Sequence, residues 1–206
     1  MKKRVLEISS GIVHPSLMAR WYLHRMLKLK YQVEAAQGIA GATRLIDGIF
    51  DAVVVYLHRR HIPDQALEAL EGFVAAGGGL LAIHSATASF KQCRRWFELL
   101  GGRFLSHAKV MDFEIIPKKV QPDLFGSIGG CHVHDELYVH EVKDDITVHF
   151  SAHQQRCEVP VVWTRTYGQG RVCYLGPGHC AATIKHPIME ALIMQGLQWI
   201  SGQEGG

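Results

Sequence analysis

Gly77-Gly78-Gly79-Leu80-Leu81-Ala82-Ile83-His84-Ser85-Ala86 reads as a helix stop, a buried strand and a sharp turn in succession. The glycines end a helix that opens at Pro63-Asp64 and gathers Leu67, Leu70, Phe73 and Val74 on one face. Leu80–Ile83 is an unbroken apolar run that reads as a buried strand. Ala82 and Ala86 stand two positions either side of His84. That is the spacing of a nucleophile elbow, where small neighbours let a strained strand-to-helix turn hold one side chain above the sheet. Here the residue held is histidine.

Three further segments with strand character also run out into histidine. Val5-Leu6-Glu7-Ile8 leads toward His14, residues 52–57 onto His58, and residues 171–175 toward His179. Parallel strands share a carboxyl edge, and open α/β sheets place their ligand crevice there. Between the strands, Pro15-Ser16 opens a helix whose apolar face is expected to be Met18, Tyr22, Met26 and Leu29. A short strand at 31–33, a weak helix near 42–46 and a helix over 92–100 ended by Gly101-Gly102 complete a βαβ series. From about 109 to 155 the pattern changes. Asp112–Ile116 and residues 136–142 alternate and are separated by turns, which predicts an antiparallel insert packed over one end of the sheet. Residues 159–164 and 171–175 read as parallel-type strands joined by the turn Tyr167-Gly168-Gln169-Gly170. A last helix carries Met189, Leu192, Ile193, Leu197 and Ile200. The expectation is one domain over 1–206, a three-layer α/β/α fold with a mainly parallel sheet and a small antiparallel insert.

The 206 residues are 48% apolar and 20% charged, a globular profile large enough to bury a substantial core. Lys and Arg number 22 against 19 Asp and Glu and are scattered, which argues against a nucleic-acid partner. No segment has the length of a membrane span, and no signal peptide is read behind Met1-Lys2-Lys3-Arg4. The five cysteines form no C-x-x-C pair, which favours reduced thiols and a cytoplasmic setting. Apolar residues left over on helix faces are compatible with a homodimer, although no interface is specified.

Histidine is the unusual entry, with 13 copies. An imidazole at position 84 can coordinate a metal or transfer a proton; it can equally bond a backbone carbonyl. His179 follows Gly176-Pro177-Gly178, where backbone can approach a ligand closely, and His107 lies beyond Gly101-Gly102. His84, His107 and His179 together could supply three imidazoles to a divalent ion such as zinc, with a position left open. A metal-free cluster of bonded histidines would have the same sequence. Asp135-Glu136 supplies carboxylates that point to opposite sides of a strand, so one faces the crevice; Glu136 is favoured as the acid/base group and Asp135 as its substitute. The catalytic set is therefore His84, Glu136 and His179, with His14, Ser85, Asp135 and Tyr138 assigned to substrate contact. His132-x-His134 has chelate spacing, but its turn-rich setting reads as solvent-facing. Trp96 and Trp163 read as core. No G-x-G-x-x-G accompanies a strand–helix turn, so no nucleotide cofactor is expected.

The segment GGGLLAIHSA, Trp96 before Gly101-Gly102, His107, Asp135-Glu136-Leu137-Tyr138, Pro160-Val161-Val162-Trp163-Thr164, and Tyr167-Gly168-Gln169-Gly170-Arg171 through Gly178-His179 resemble the trehalose-utilisation (ThuA-like) family. His14 is similar in place to a histidine that family carries after its first strand. The chain departs from the family at Ser106-His107-Ala108, where Gly-His-Pro is common. The resemblance implies a flavodoxin-like, class I glutamine amidotransferase-like fold in which His84 stands where those enzymes carry cysteine. It further implies catabolism of trehalose or a related disaccharide through keto-sugar intermediates, and divalent metal held by histidines.

Two classes of function follow. One is an enzyme acting on a keto-sugar derivative by histidine and carboxylate proton transfer, with isomerisation and cleavage sharing the first step. The other is a non-catalytic sugar-binding or regulatory relative. Glutamine amidotransfer ranks below both, since no cysteine occupies the elbow.

Overall fold

A computed structural model describes residues 2–11, 15–155 and 157–202. Five strands form the parallel part of a nine-stranded sheet: β1 (Arg4–Ser10), β2 (Gln32–Gln37), β3 (Ala52–Leu57), β4 (Gly79–Ile83) and, from the far end of the chain, β11 (Gly170–Leu175). Their order is β2-β1-β3-β4-β11, so β4, which ends in His84, and β11, which leads to His179, lie side by side. Strand β3 is buried throughout, with Val54 and Tyr56 facing one layer and Val53, Val55 and Leu57 the other. The first layer holds α1 (Leu17–Lys30), the short α4 (Ala181–Ile184) and α5 (Pro187–Ile200); the second holds α2 (Asp64–Ala75), α3 (Arg94–Leu100) and a 3-10 segment over Ile39–Asp47. The three-layer α/β/α arrangement is as expected.

Four details correct the sequence reading. The buried face of α1 is Ala19, Leu23, Met26 and Leu27, whereas Met18 and Leu29 are 56% and 76% exposed. Ser16 caps this helix by accepting from the Ala19 amide, which anchors its start one residue past the proline. The segment near 42–46 winds as 3-10 rather than α-helix. Strand β10 (Cys157–Tyr167) is antiparallel to β11, because a two-residue turn at Gly168-Gln169 returns the chain directly alongside itself. Finally, the antiparallel region does not merely cap the sheet. β6 (Met111–Pro117), β7 (Cys131–Asp135) and β9 (Thr147–Gln154) extend it in the order β10-β9-β6-β7, and β5 (Gly102–His107) pairs with β8 (Tyr138–Val142) as a separate ribbon.

That ribbon matters for the site. His107 and Tyr138 are cross-strand partners in it, and the two-residue link Glu136-Leu137 joins β7 to β8. The ribbon therefore brings His107, Tyr138 and Glu136 to the carboxyl edge of β4 and β11.

Candidate functional site

His84 is held at φ +47°, a left-handed conformation that strains any residue with a Cβ. Its carbonyl is pinned by three donors: the Thr87 amide at 3.3 Å, the Thr87 hydroxyl at 3.2 Å and the Tyr174 hydroxyl at 3.0 Å. The turn is thus over-determined, as the elbow spacing requires. The ring is 1% exposed, with Nδ1 2.7 Å from the Gly176 carbonyl. A carbonyl only accepts, so Nδ1 carries a proton and Nε2 is left to face the site. The backbone-bonded role and the site role are both filled, one by each nitrogen.

Nε2 of His84 faces the Glu136 carboxylate, 3.4 Å from Oε2 and with no hydrogen bond of its own. His179 Nδ1 stands 3.2 Å from the same oxygen, and His107 Nδ1 3.7 Å from Oε1. Among the described residues, His84, Glu136 and His179 form the one group that brings three ligand atoms within 4.8 Å of one another. The carboxyl of Glu136 is held down to about 2, first by its contact with His84 and then by His179 and His107, against the opposing effect of burial. A ring nitrogen of His84 set 3.4 Å from a carboxylate oxygen calls for a positive charge between them. A proton or a divalent ion satisfies it, and two imidazoles with one carboxylate are a donor set suited to zinc.

Asp135 does different work from Glu136. It is fully buried and its two oxygens accept from the backbone amides of Glu136, Gly178 and His179 at 2.8–3.2 Å. This carboxylate shapes the loop that carries His179. Ser85 is likewise turned inward, its hydroxyl donating to the Leu57 carbonyl. Both depart from the expected substrate contacts, because backbone groups at the sheet edge claim them. Tyr138 does line the site, its ring 4.3 Å from that of His84 and 4.6 Å from that of Phe104. His107 sits at the rim, 41% exposed, with Nδ1 2.7 Å from the Ala108 carbonyl; Glu136, rather than His107, completes the compact trio. His58 is exposed directly after β3, and His14 lies outside the described residues. A cavity of about 1060 Å³ opens at the opposite edge among Lys3, Asp51, Phe73 and Arg171, away from all of this chemistry.

A family model described as ThuA, trehalose utilisation, matches residues 17–200. The chain belongs to the ThuA family. Its membership ties it to trehalose utilisation. In fold it is similar to a ThuA-like protein from Parabacteroides merdae (TM-score 0.83, 17% identity, 99% of this chain and 91% of that one). A ThuA-like protein from Bacteroides uniformis is comparable (0.81, 13%, 96% and 91%). A cytoplasmic protein from Salmonella typhimurium LT2 also matches (0.65, 14%, 96% and 97%). No curated protein sequence matches. No described helix of this ThuA-family chain is long and apolar enough to cross a membrane.

Sequence reasoning missed Thr87 and Tyr174, which hold the His84 carbonyl, and His140, whose Nε2 lies 3.0 Å from the Thr87 hydroxyl. Nothing in the order of residues marks them. Tyr174 alternates with Cys173 and Leu175 as any core strand residue would, and only the pairing of β11 with β4 sets it beneath the elbow.

Proposed function

We propose that the chain acts on a keto derivative of trehalose or a related disaccharide by moving a proton on the carbon next to the ketone. The observation that carries this reading is the convergence of His84 and His179 on one carboxylate oxygen, Oε2 of Glu136, 3.4 and 3.2 Å away, at the sheet edge where ligands bind. Imidazoles turned into the core would have favoured the non-catalytic alternative.

In this reading Glu136 takes the proton, the C–H electron pair becomes the enolate double bond and the carbonyl pair moves onto oxygen. His179, on the open side, donates to that oxygen. His84, fixed by Gly176, exchanges the proton with Glu136 and returns it to the product. A divalent ion held by His84, Glu136 and His179 would supply Lewis-acid stabilisation of the same oxygen. Tyr138 and Phe104 form an aromatic wall against which a sugar ring can pack. Free thiols at all five cysteines, and a structural neighbour described as cytoplasmic, support a cytoplasmic setting.

Isomerisation and cleavage both begin with loss of this proton, so exchange in heavy water tests either. Incubation of 3-keto disaccharides with the protein in D2O, followed by NMR, is expected to show deuterium entering next to the ketone. Glu136→Gln is expected to slow exchange by about 10²–10⁴. Exchange that persists unchanged in Glu136→Gln and His84→Ala would end the proposal.

A further inference from the structure

The outermost strand of the nine-stranded sheet carries ligand chemistry of its own. β6 and β7 pair antiparallel, with Asp112 opposite His134, Phe113 opposite Val133 and Glu114 opposite His132. Phe113, Ile115 and Val133 are buried. The two-residue period of a strand therefore sends Asp112, Glu114, His132 and His134 together to the other face, where all four are exposed. A one-residue slip would bury these four and expose the apolar three, so the core fixes their register. Four metal-ligating side chains thus stand at the corners of a rectangle about 7 Å along the strand and about 5 Å across it. A point about 2–3 Å above its centre lies roughly 5 Å from each Cβ, within reach of an imidazole or a carboxylate.

One corner is already oriented. His134 Nδ1 lies 2.9 Å from Asp112 Oδ1, and since a carboxylate accepts, Nδ1 donates and Nε2 presents its lone pair outward. A histidine steered by a carboxylate in this way is the usual partner arrangement around a bound metal. We propose that His132, His134 and Glu114, with Asp112 orienting His134, bind a divalent transition ion such as zinc at the outer edge of the sheet, independently of the His84 site. The donor atoms are not drawn together as they are at His84, but these exposed side chains turn on the picosecond-to-nanosecond scale. Closing on an ion therefore needs no backbone movement. Imidazole donors favour zinc, copper and nickel over calcium or magnesium.

The test is zinc titration of the tag-free, chelator-stripped full chain by calorimetry and equilibrium dialysis. It compares the wild type with His132→Ala/His134→Ala, His84→Ala/His179→Ala and the fourfold variant, with circular dichroism confirming that each is folded. The edge site predicts that one equivalent survives in His84→Ala/His179→Ala and is lost in the fourfold variant. It also predicts that magnesium does not compete. A His132→Ala/His134→Ala curve that superimposes on the wild type, zinc still bound by the fourfold variant, or no binding to the wild type would each overturn the proposal. Because the two double variants are read separately, failure of the deep site and failure of the edge site give different stoichiometries.

Discussion

At the scale of the residue, His84 shows how one side chain reconciles structural and chemical demands. Its backbone occupies left-handed space that glycine would accept freely, yet the position holds an imidazole because the turn lifts it to the sheet edge. The strain has a measurable sign. His84→Gly and His84→Ala both remove the ring, and they differ by one Cβ at φ +47°. His84→Gly is therefore expected to be the more stable of the two by about 1 kcal/mol, read from urea denaturation midpoints at a common slope. Equal stabilities would mean that the turn relaxes and that Thr87 and Tyr174 do not hold it. Glu136 and Asp135 make the complementary point. Adjacent in sequence, one is turned to the imidazoles and the other to three backbone amides, so their chemistry is set by what each strand end faces.

At the scale of the element, α1 separates what a helical period can and cannot say. The stretch Leu17–Lys30 carries enough apolar residues for two different stripes, and the sequence reading chose Met18, Tyr22, Met26 and Leu29. The sheet accepts the stripe of Ala19, Leu23, Met26 and Leu27, because Ser16 caps the helix and sets its rotation against β1. Leu23→Ala is expected to cost about 2–5 kcal/mol, and Leu29→Ala less than about 0.5 kcal/mol, by chemical denaturation. The reverse order would restore the original face. The β10–β11 hairpin carries the same lesson. Its strands are apolar enough to suggest parallel pairing, but a two-residue connection permits only the antiparallel one.

At the scale of the whole molecule, stability is coupled to acid through a buried histidine outside the trio, His149. His149 is buried, its Nε2 2.8 Å from the Thr164 hydroxyl and its ring edge-on to Phe125. Burial lowers it from 6.5 to about 4. Above the unfolded value both states are neutral and its contribution is complete. Between about 6.5 and 4 only the unfolded chain takes up the proton, so stability falls by about 1.4 kcal/mol per pH unit. Below about 4 both states bind the proton and the loss levels off near 3 kcal/mol. Urea midpoints measured across this window are expected to fall more steeply for the wild type than for His149→Gln. Parallel slopes would show that the ring is protonated in the folded state.

Much of this protein was readable in one dimension. Apolar runs, glycine stops and helical periods are local quantities, so the βαβ series, the strained turn at His84 and the location of His58, His84 and His179 after strand ends could be recovered residue by residue. Other features were long-range and could not: which stripe of α1 packs, the direction of β10, and the β5–β8 ribbon that sets Tyr138 and Glu136 over the elbow. Each depends on pairing between segments distant in sequence, where several partners satisfy the same local pattern and only the packing of the whole sheet selects one. The trio of His84, Glu136 and His179 belongs to this second kind. Its members were legible as types of residue, but their distances exist only because β4, β7 and β11 end at one edge.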